Sequence, residues 1–215
     1  MSALDRIAAD RLIAILRRPP PGRAAELIAG LVAGGVGAIE ITLDAPDALA
    51  WIAAAREAHP GALIGAGTVR SARDALDARK AGAQFTVAPT LDLAVTAEAR
   101  ESGVPHVPGC LTPTEAVAAM AAGAELVKLF PAGRLGPGYV RDLLGPLPEL
   151  RLVVTGGIAP EQAAGYLAAG AIAVGLGSSL LAPDVAADGD VGAIAVDARR
   201  VRAALQGHQG QGERE

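Results

Sequence analysis

Eight short apolar runs recur along the chain: Leu12–Leu16, Ala38–Thr42, Leu63–Ala66, Phe85–Val87, Val104–Val107, Leu126–Phe130, Leu152–Val154 and Ile172–Val174. Their starts lie 19 to 26 residues apart, which is room for one strand, one helix and two short loops. The intervening segments are alanine-rich, as in Ala24-Ala25-Glu26-Leu27-Ile28-Ala29-Gly30-Leu31-Val32. Alanine is the best helix former because it loses no side-chain entropy. Glycine stands just before most of the later strands, in Gly34-Gly35, Ala81-Gly82, Ser102-Gly103, Ala122-Gly123 and Ala169-Gly170, where a left-handed residue closes a helix. Proline and an acid mark helix starts at Thr112-Pro113-Thr114-Glu115 and Ala159-Pro160-Glu161.

Strand, helix and glycine repeated in this way predict parallel β-α units. An open doubly wound sheet and a closed (β/α)8 TIM barrel both satisfy the pattern, and eight near-equal units favour the barrel. The expected single domain covers residues 1–205. The polar stretch 206–215 has no apolar periodicity and reads as a disordered tail. Pro19-Pro20-Pro21-Gly22 reads as a stiff loop and not as a domain linker.

Composition narrows the classes. Of 215 residues, 51% are hydrophobic, which excludes a disordered chain. Only two Phe, two Tyr and one Trp are present, so the core must be built from small aliphatic side chains. The single Cys110 excludes a disulfide framework and fits a reducing compartment. A net charge of −4, with basic residues scattered, argues against nucleic acid as a partner. No run approaches the length of a membrane span and the N-terminus is charged early. The expectation is a soluble cytoplasmic protein with no membrane partner.

Chemistry in such a barrel sits at the carboxyl ends of the strands. Two charges stand inside apolar strands instead of in loops. In Ala38-Ile39-Glu40-Ile41-Thr42 and Leu126-Val127-Lys128-Leu129-Phe130, alternation of strand faces turns Glu40 and Lys128 into the barrel and Ile39, Ile41, Val127 and Leu129 toward the helices. Burying an unpaired charge is costly, so the placement calls for a reason. A space-filling ion pair is one reading. Covalent chemistry is the other: a desolvated amine attacks a ketone to form a Schiff base, whose iminium stabilises an adjacent carbanion while a carboxylate shuttles protons.

The three histidines share no ligand spacing, so no metal site is expected. His106 reads as a packed strand residue, Cys110 as a small buried apolar residue near the strand ends, and Trp51 as a helix-packing ring. Gly156-Gly157 and Gly177-Ser178-Ser179 follow the last two strands, where such barrels hold phosphate on backbone N–H groups.

Taken in order, these motifs resemble the bacterial 2-keto-3-deoxy-6-phosphogluconate aldolase family, which includes the 6-phosphogalactonate and 4-hydroxy-2-oxoglutarate aldolases. The resemblance spans Leu12 to Leu181 and rests on Ile39-Glu40-Ile41-Thr42-Leu43, Ile64-Gly65-Ala66-Gly67-Thr68-Val69, Val107-Pro108-Gly109, Val127-Lys128-Leu129-Phe130-Pro131-Ala132, Thr155-Gly156-Gly157-Ile158 and Gly175-Leu176-Gly177-Ser178-Ser179. It implies a cofactor-independent homotrimer cleaving a phosphorylated keto acid, with Lys128 as Schiff-base lysine and Glu40 as general acid and base. It places Thr68 and Thr155 near the pyruvoyl part, Pro89 and Phe130 in the pocket wall, and Gly156, Gly157, Gly177 and Ser178 around the phosphate. One departure stands out. Many members carry Arg four residues after the catalytic Glu to hold the substrate carboxylate, and here that position is Asp44. Arg17, at the end of the first strand as in the phosphogalactonate branch, is the expected carboxylate ligand instead. A non-covalent sugar-phosphate isomerase or epimerase, and a non-catalytic phospho-ligand barrel, remain the rival readings of the same residues.

Overall fold

A computed structural model describes residues 1–206. The strands are β1 (Leu12–Leu16), β2 (Ala38–Thr42), β3 (Leu63–Gly67), β4 (Thr86–Val87), β5 (His106–Val107), β6 (Gly109–Cys110), β7 (Val127–Leu129), β8 (Leu152–Thr155) and β9 (Ala173–Leu176). All pair in parallel, in the order β5-β4-β3-β2-β1-β9-β8-β7-β6. The two edges of this order are one stretch of chain. Only Pro108 separates β5 from β6, because proline has no N–H to continue the ladder. β5 pairs with β4 and β6 with β7, and the Pro108 carbonyl accepts from the Lys128 N–H at 2.8 Å. The nine segments are therefore the eight staves of a (β/α)8 barrel. The fifth stave differs from its expected position of Val104–Val107, lying two to three residues later.

Helices surround the strands: α1 (Ala3–Asp10), α2 (Ala24–Ala33), α3 (Ala48–Ala58), α4 (Ala72–Lys80), α5 (Leu93–Ser102), α6 (Pro113–Ala121), α7 (Gly136–Leu144), α8 (Pro160–Ala168), α9 (Pro183–Asp188) and α10 (Val191–Gln206). Local chemistry explains their ends. Thr112 and Glu115 form a capping box at α6, with Pro113 in the first turn. Gly35, Gly82, Gly103, Gly123 and Gly170 all close helices at positive φ, from 70° to 106°. α2 and α10 cross so closely that a Cβ at Gly30 or Gly34 would lie 2.5 Å from Ile194 or Ala198. Gln206 ends α10, so it is helical; the rest of the expected tail, 207–215, lies outside the described residues. No described helix is long and apolar enough to cross a membrane.

The core has two parts. An outer layer between strands and helices contains Ile39, Ile41, Val127, Leu129, Val154 and Ile194, with Trp51 packed at its edge. An inner plug contains Ile13, Ala38, Leu63, Phe85, Val107, Leu126, Val153 and Ala173, with Val87 as a second residue from the fourth stave. Leu4 and Ile7 of α1 join this inner cluster and close the amino-terminal mouth. The sequence reading gave α1 no role; its signal is the Ser2–Asp5 capping box.

Candidate active site

Two residues above each member of the plug the interior changes character. The next tier is Ile15, Glu40, Gly65, Val87, Gly109, Lys128, Thr155 and Gly175, by strand alternation. Three of the eight are glycine, and neighbouring groups occupy the space their side chains would need. Phe85 occupies the space a Cβ at Gly65 would need, and the Glu40 carboxylate occupies that of Gly67. Above this tier lies a cavity of about 690 Å³ at the carboxyl ends of the strands. It is lined by every residue singled out above for a role: Arg17, Glu40, Thr68, Pro89, Lys128, Phe130, Thr155, Gly156, Gly157, Gly177 and Ser178.

Glu40 and Lys128 come from β2 and β7, on opposite sides of the ring. They are 1% and 6% exposed, yet neither takes part in an ion pair among the described residues. A space-filling salt bridge is not what the barrel contains. The Glu40 Oε2 and Thr155 Oγ1 atoms are buried without a hydrogen-bond partner in the protein. Unpartnered buried polar atoms are costly and cluster where a ligand supplies the missing bond. Burial raises the Glu40 carboxyl above its ordinary value of 4.5, against the opposing pull of Lys128 and Arg17. The Lys128 ammonium nitrogen sits 5.2 Å from the centroid of the Phe130 ring, within cation–π range.

The glycine turns form the opposite wall. Gly156 and Gly157 have φ of 91° and 71°, and a Cβ at Gly156 would lie 2.7 Å from the Phe130 ring. They lead through Ile158 and Ala159, which also line the cavity, into the first turn of α8. The Ser179 hydroxyl donates to the Ile158 carbonyl at 2.8 Å and ties the two turns together. This wall offers backbone N–H groups and a helix N-terminus to an anion.

A family model described as KDPG and KHG aldolase matches residues 4–196. The chain belongs to the KDPG and KHG aldolase family. A probable 2-dehydro-3-deoxy-6-phosphogalactonate aldolase of Rhizobium meliloti is 41% identical over 182 residues, covering 84% of this chain and 85% of that one. A 2-dehydro-3-deoxy-6-phosphogalactonate aldolase of Escherichia coli is 37% identical over 171 residues, covering 79% and 83%. A crystal structure of a KDPG aldolase from Legionella pneumophila, with pyruvate captured as a covalent carbinolamine, superposes with a TM-score of 0.86 at 26% identity, covering 94% of this chain and 98% of that one.

Asp44, where the sequence resemblance implies Arg, does not line the cavity. Asp44 Oδ2 lies 3.1 Å from the Arg17 Nε and 3.0 Å from the Arg18 Nε. Burial alone would raise its carboxyl, but the Thr42 hydroxyl and the two guanidinium groups outweigh burial and hold it below 3.8. Thr42, expected on the same strand face as Glu40, lines the cavity, and so does Arg70, which the motifs of the sequence do not include. Arg70 stands two residues beyond Thr68, which has a φ of 57°, and nothing in the sequence announces a left-handed threonine. Cys110 is 3% exposed, belongs to the outer core and has its thiol pushed up to about 12 by burial. His106 is buried with Nδ1 2.9 Å from the Thr86 hydroxyl.

Proposed function

We propose that the chain is a Schiff-base aldolase that cleaves a 2-keto-3-deoxy-6-phospho sugar acid to pyruvate and D-glyceraldehyde 3-phosphate. The observation that carries this reading is a buried lysine and a buried glutamate that share one cavity without pairing to each other. A lysine left unpaired in this way is available to a carbonyl carbon. The raised Glu40 carboxyl suits a group that carries a proton for part of a cycle.

The Lys128 amine adds to the keto carbon, the carbinolamine hydroxyl takes the Glu40 proton and leaves as water, and an iminium and the Glu40 carboxylate result. Glu40, as carboxylate, takes the proton of the hydroxyl on the carbon beyond the methylene. The bond between methylene and carbinol carbons then breaks, its electrons pass to the iminium as an enamine, and the aldehyde leaves. Glu40 returns its proton to the terminal enamine carbon, and water hydrolyses the pyruvyl iminium to free Lys128. Phe130 and Pro89 wall the reacting carbons from solvent, and Thr68 and Thr155 hold the pyruvoyl end. Arg17 is assigned to the carboxylate, and Gly156, Gly157, Gly177 and Ser178 to the phosphate. No cofactor enters these steps. The same site is proposed to accept 4-hydroxy-2-oxoglutarate, releasing glyoxylate in place of the triose phosphate.

Borohydride reduction in the presence of pyruvate, followed by peptide mass analysis, tests the covalent step. The expected product is a reduced pyruvyl adduct on Lys128. An unmodified Lys128 in an enzyme that still turns over would overturn the reading in favour of a non-covalent isomerase or epimerase. Parallel assays on the gluconate and galactonate epimers and on 4-hydroxy-2-oxoglutarate assign the substrate. A trimeric, cytoplasmic enzyme is proposed with it, supported by the family resemblance and the single buried thiol, and checked by sedimentation.

A further inference from the structure

Arg17 and Arg18 are consecutive at the end of β1, so extended backbone would send them to opposite faces. Instead both Nε atoms reach the same oxygen of Asp44, at 3.1 Å and 3.0 Å. Arg18 makes this possible by adopting φ of 45°, a conformation that residues with a side chain rarely occupy. The buried member of the cluster is the anion: the Asp44 side chain is 10% exposed, against 57% and 67% for the two arginines. Its second oxygen, Oδ1, is buried and has no hydrogen-bond partner. Arg17 lines the substrate cavity and Asp44 does not. Among the described residues the Arg17 side chain has no other hydrogen bond than that from Nε.

We propose that Asp44 is a positioning residue that grips Arg17 by its Nε and so presents the two terminal guanidinium nitrogens as a planar fork to the substrate carboxylate. An acid at this position thus serves the substrate anion indirectly, by orienting a cation supplied by the neighbouring strand. The inference rests on the proposed carboxylate role of Arg17. It goes beyond that role in naming what sets the geometry of the fork.

Borohydride trapping at graded concentrations of two ketones separates the possibilities. With Asp44→Asn, the pyruvate concentration for half-maximal trapping should rise about tenfold, the scale of one charged hydrogen bond. Trapping with hydroxyacetone, which lacks the carboxylate, should not shift, and Asp44→Glu should recover part of the loss. KM for the phosphorylated keto acid should rise with kcat little changed. An unchanged pyruvate requirement in Asp44→Asn, or an equal shift with hydroxyacetone, overturns the positioning role. Arg17→Gln, at an exposed side chain, reports on the underlying reading: if it leaves the pyruvate requirement unchanged, the carboxylate role of Arg17 itself falls. Arg18→Gln keeps the Asp44 grip on Arg17 and should leave the pyruvate requirement unchanged. A rise equal to that of Arg17→Gln overturns the proposal even where the Asp44 variants fold poorly.

Discussion

The floor and the mouth of the barrel are made by the same eight staves, two residues apart. At the floor each stave contributes an apolar side chain, and Leu4 and Ile7 fill what is left. At the mouth three of the eight positions are glycine and three are Glu40, Lys128 and Thr155. The floor therefore gains from burial of apolar surface and close packing. The mouth keeps a cavity, two charges removed from water and two polar atoms without partners. Each of these costs folding free energy, and each is what a covalent, acid–base site requires. Stability and chemistry are thus separated along the barrel axis, and substitutions in the two tiers should fail in different ways.

The largest effect should come from Glu40→Gln. Loss of a positioned acid–base group should lower kcat by about 10²–10⁴-fold and slow borohydride trapping as well. Stability should move the other way. Burial raises the Glu40 carboxyl, so the folded protein holds that proton more tightly than the unfolded chain. The wild type therefore loses stability as pH rises above 4.5, and the glutamine variant does not. Thermal unfolding should show the variant more stable near neutral pH, with the gain fading toward pH 4.5. A variant that is both inactive and less stable at neutral pH would break the contrast between the tiers.

At the floor the converse holds. Phe85 is fully buried and its ring fills the space beside Gly65. Phe85→Ala should cost about 3–5 kcal/mol in denaturant unfolding, through lost burial and a residual void. Phe85 does not line the cavity, so the folded fraction should keep kcat/KM within about tenfold of the wild type. A much larger loss of kcat/KM with little loss of stability would show that the floor also positions the catalytic pair.

Much of this arrangement was readable in the chain. The first two staves match their expected bounds because aliphatic residues mark their extent, with Glu40 the one charge within them, and strand alternation turns Glu40 and Lys128 inward. The fifth stave differs because its apolar run stops at Pro108, while the barrel continues past that proline and closes on Gly109 and Cys110. α1 was not foreseen, since an eight-residue helix before the first strand breaks the repeat. Arg70 and the Asp44 grip were hidden for a shared reason: each depends on a side-chain-bearing residue in left-handed backbone, Thr68 or Arg18, and residue identity does not announce that conformation.

His106 is a smaller test of the same contrast, since its Nε2 is buried without a partner on the amino-terminal side of the sheet. Burial lowers its imidazole from 6.5 to about 4, against a weak opposing pull from Asp92. A depressed histidine leaves stability intact above 6.5 and removes it as pH falls toward 4, because the unfolded chain takes up the proton first. That loss should amount to about 3 kcal/mol at most. Unfolding of His106→Asn at pH 7 and pH 4.5 should show a shallower dependence than the wild type; identical slopes would remove His106 as the cause.

The smallest effect should lie in the plug. The Ser2 hydroxyl accepts from the Asp5 N–H at 3.1 Å, and the Asp5 carboxylate accepts from the Ser2 N–H at 3.0 Å. Ser2→Ala removes half of this capping box at an exposed helix end. The melting temperature should fall by about 2–4 °C, the scale of one lost N-cap in a domain of this size. Catalysis should not respond, because Leu4 and Ile7 of α1 pack into the floor and no residue of α1 lines the cavity. If kcat fell with the melting temperature, the plug would be transmitting its order through the apolar tier to Glu40 and Lys128, and the two halves of the barrel would act as one unit instead of two.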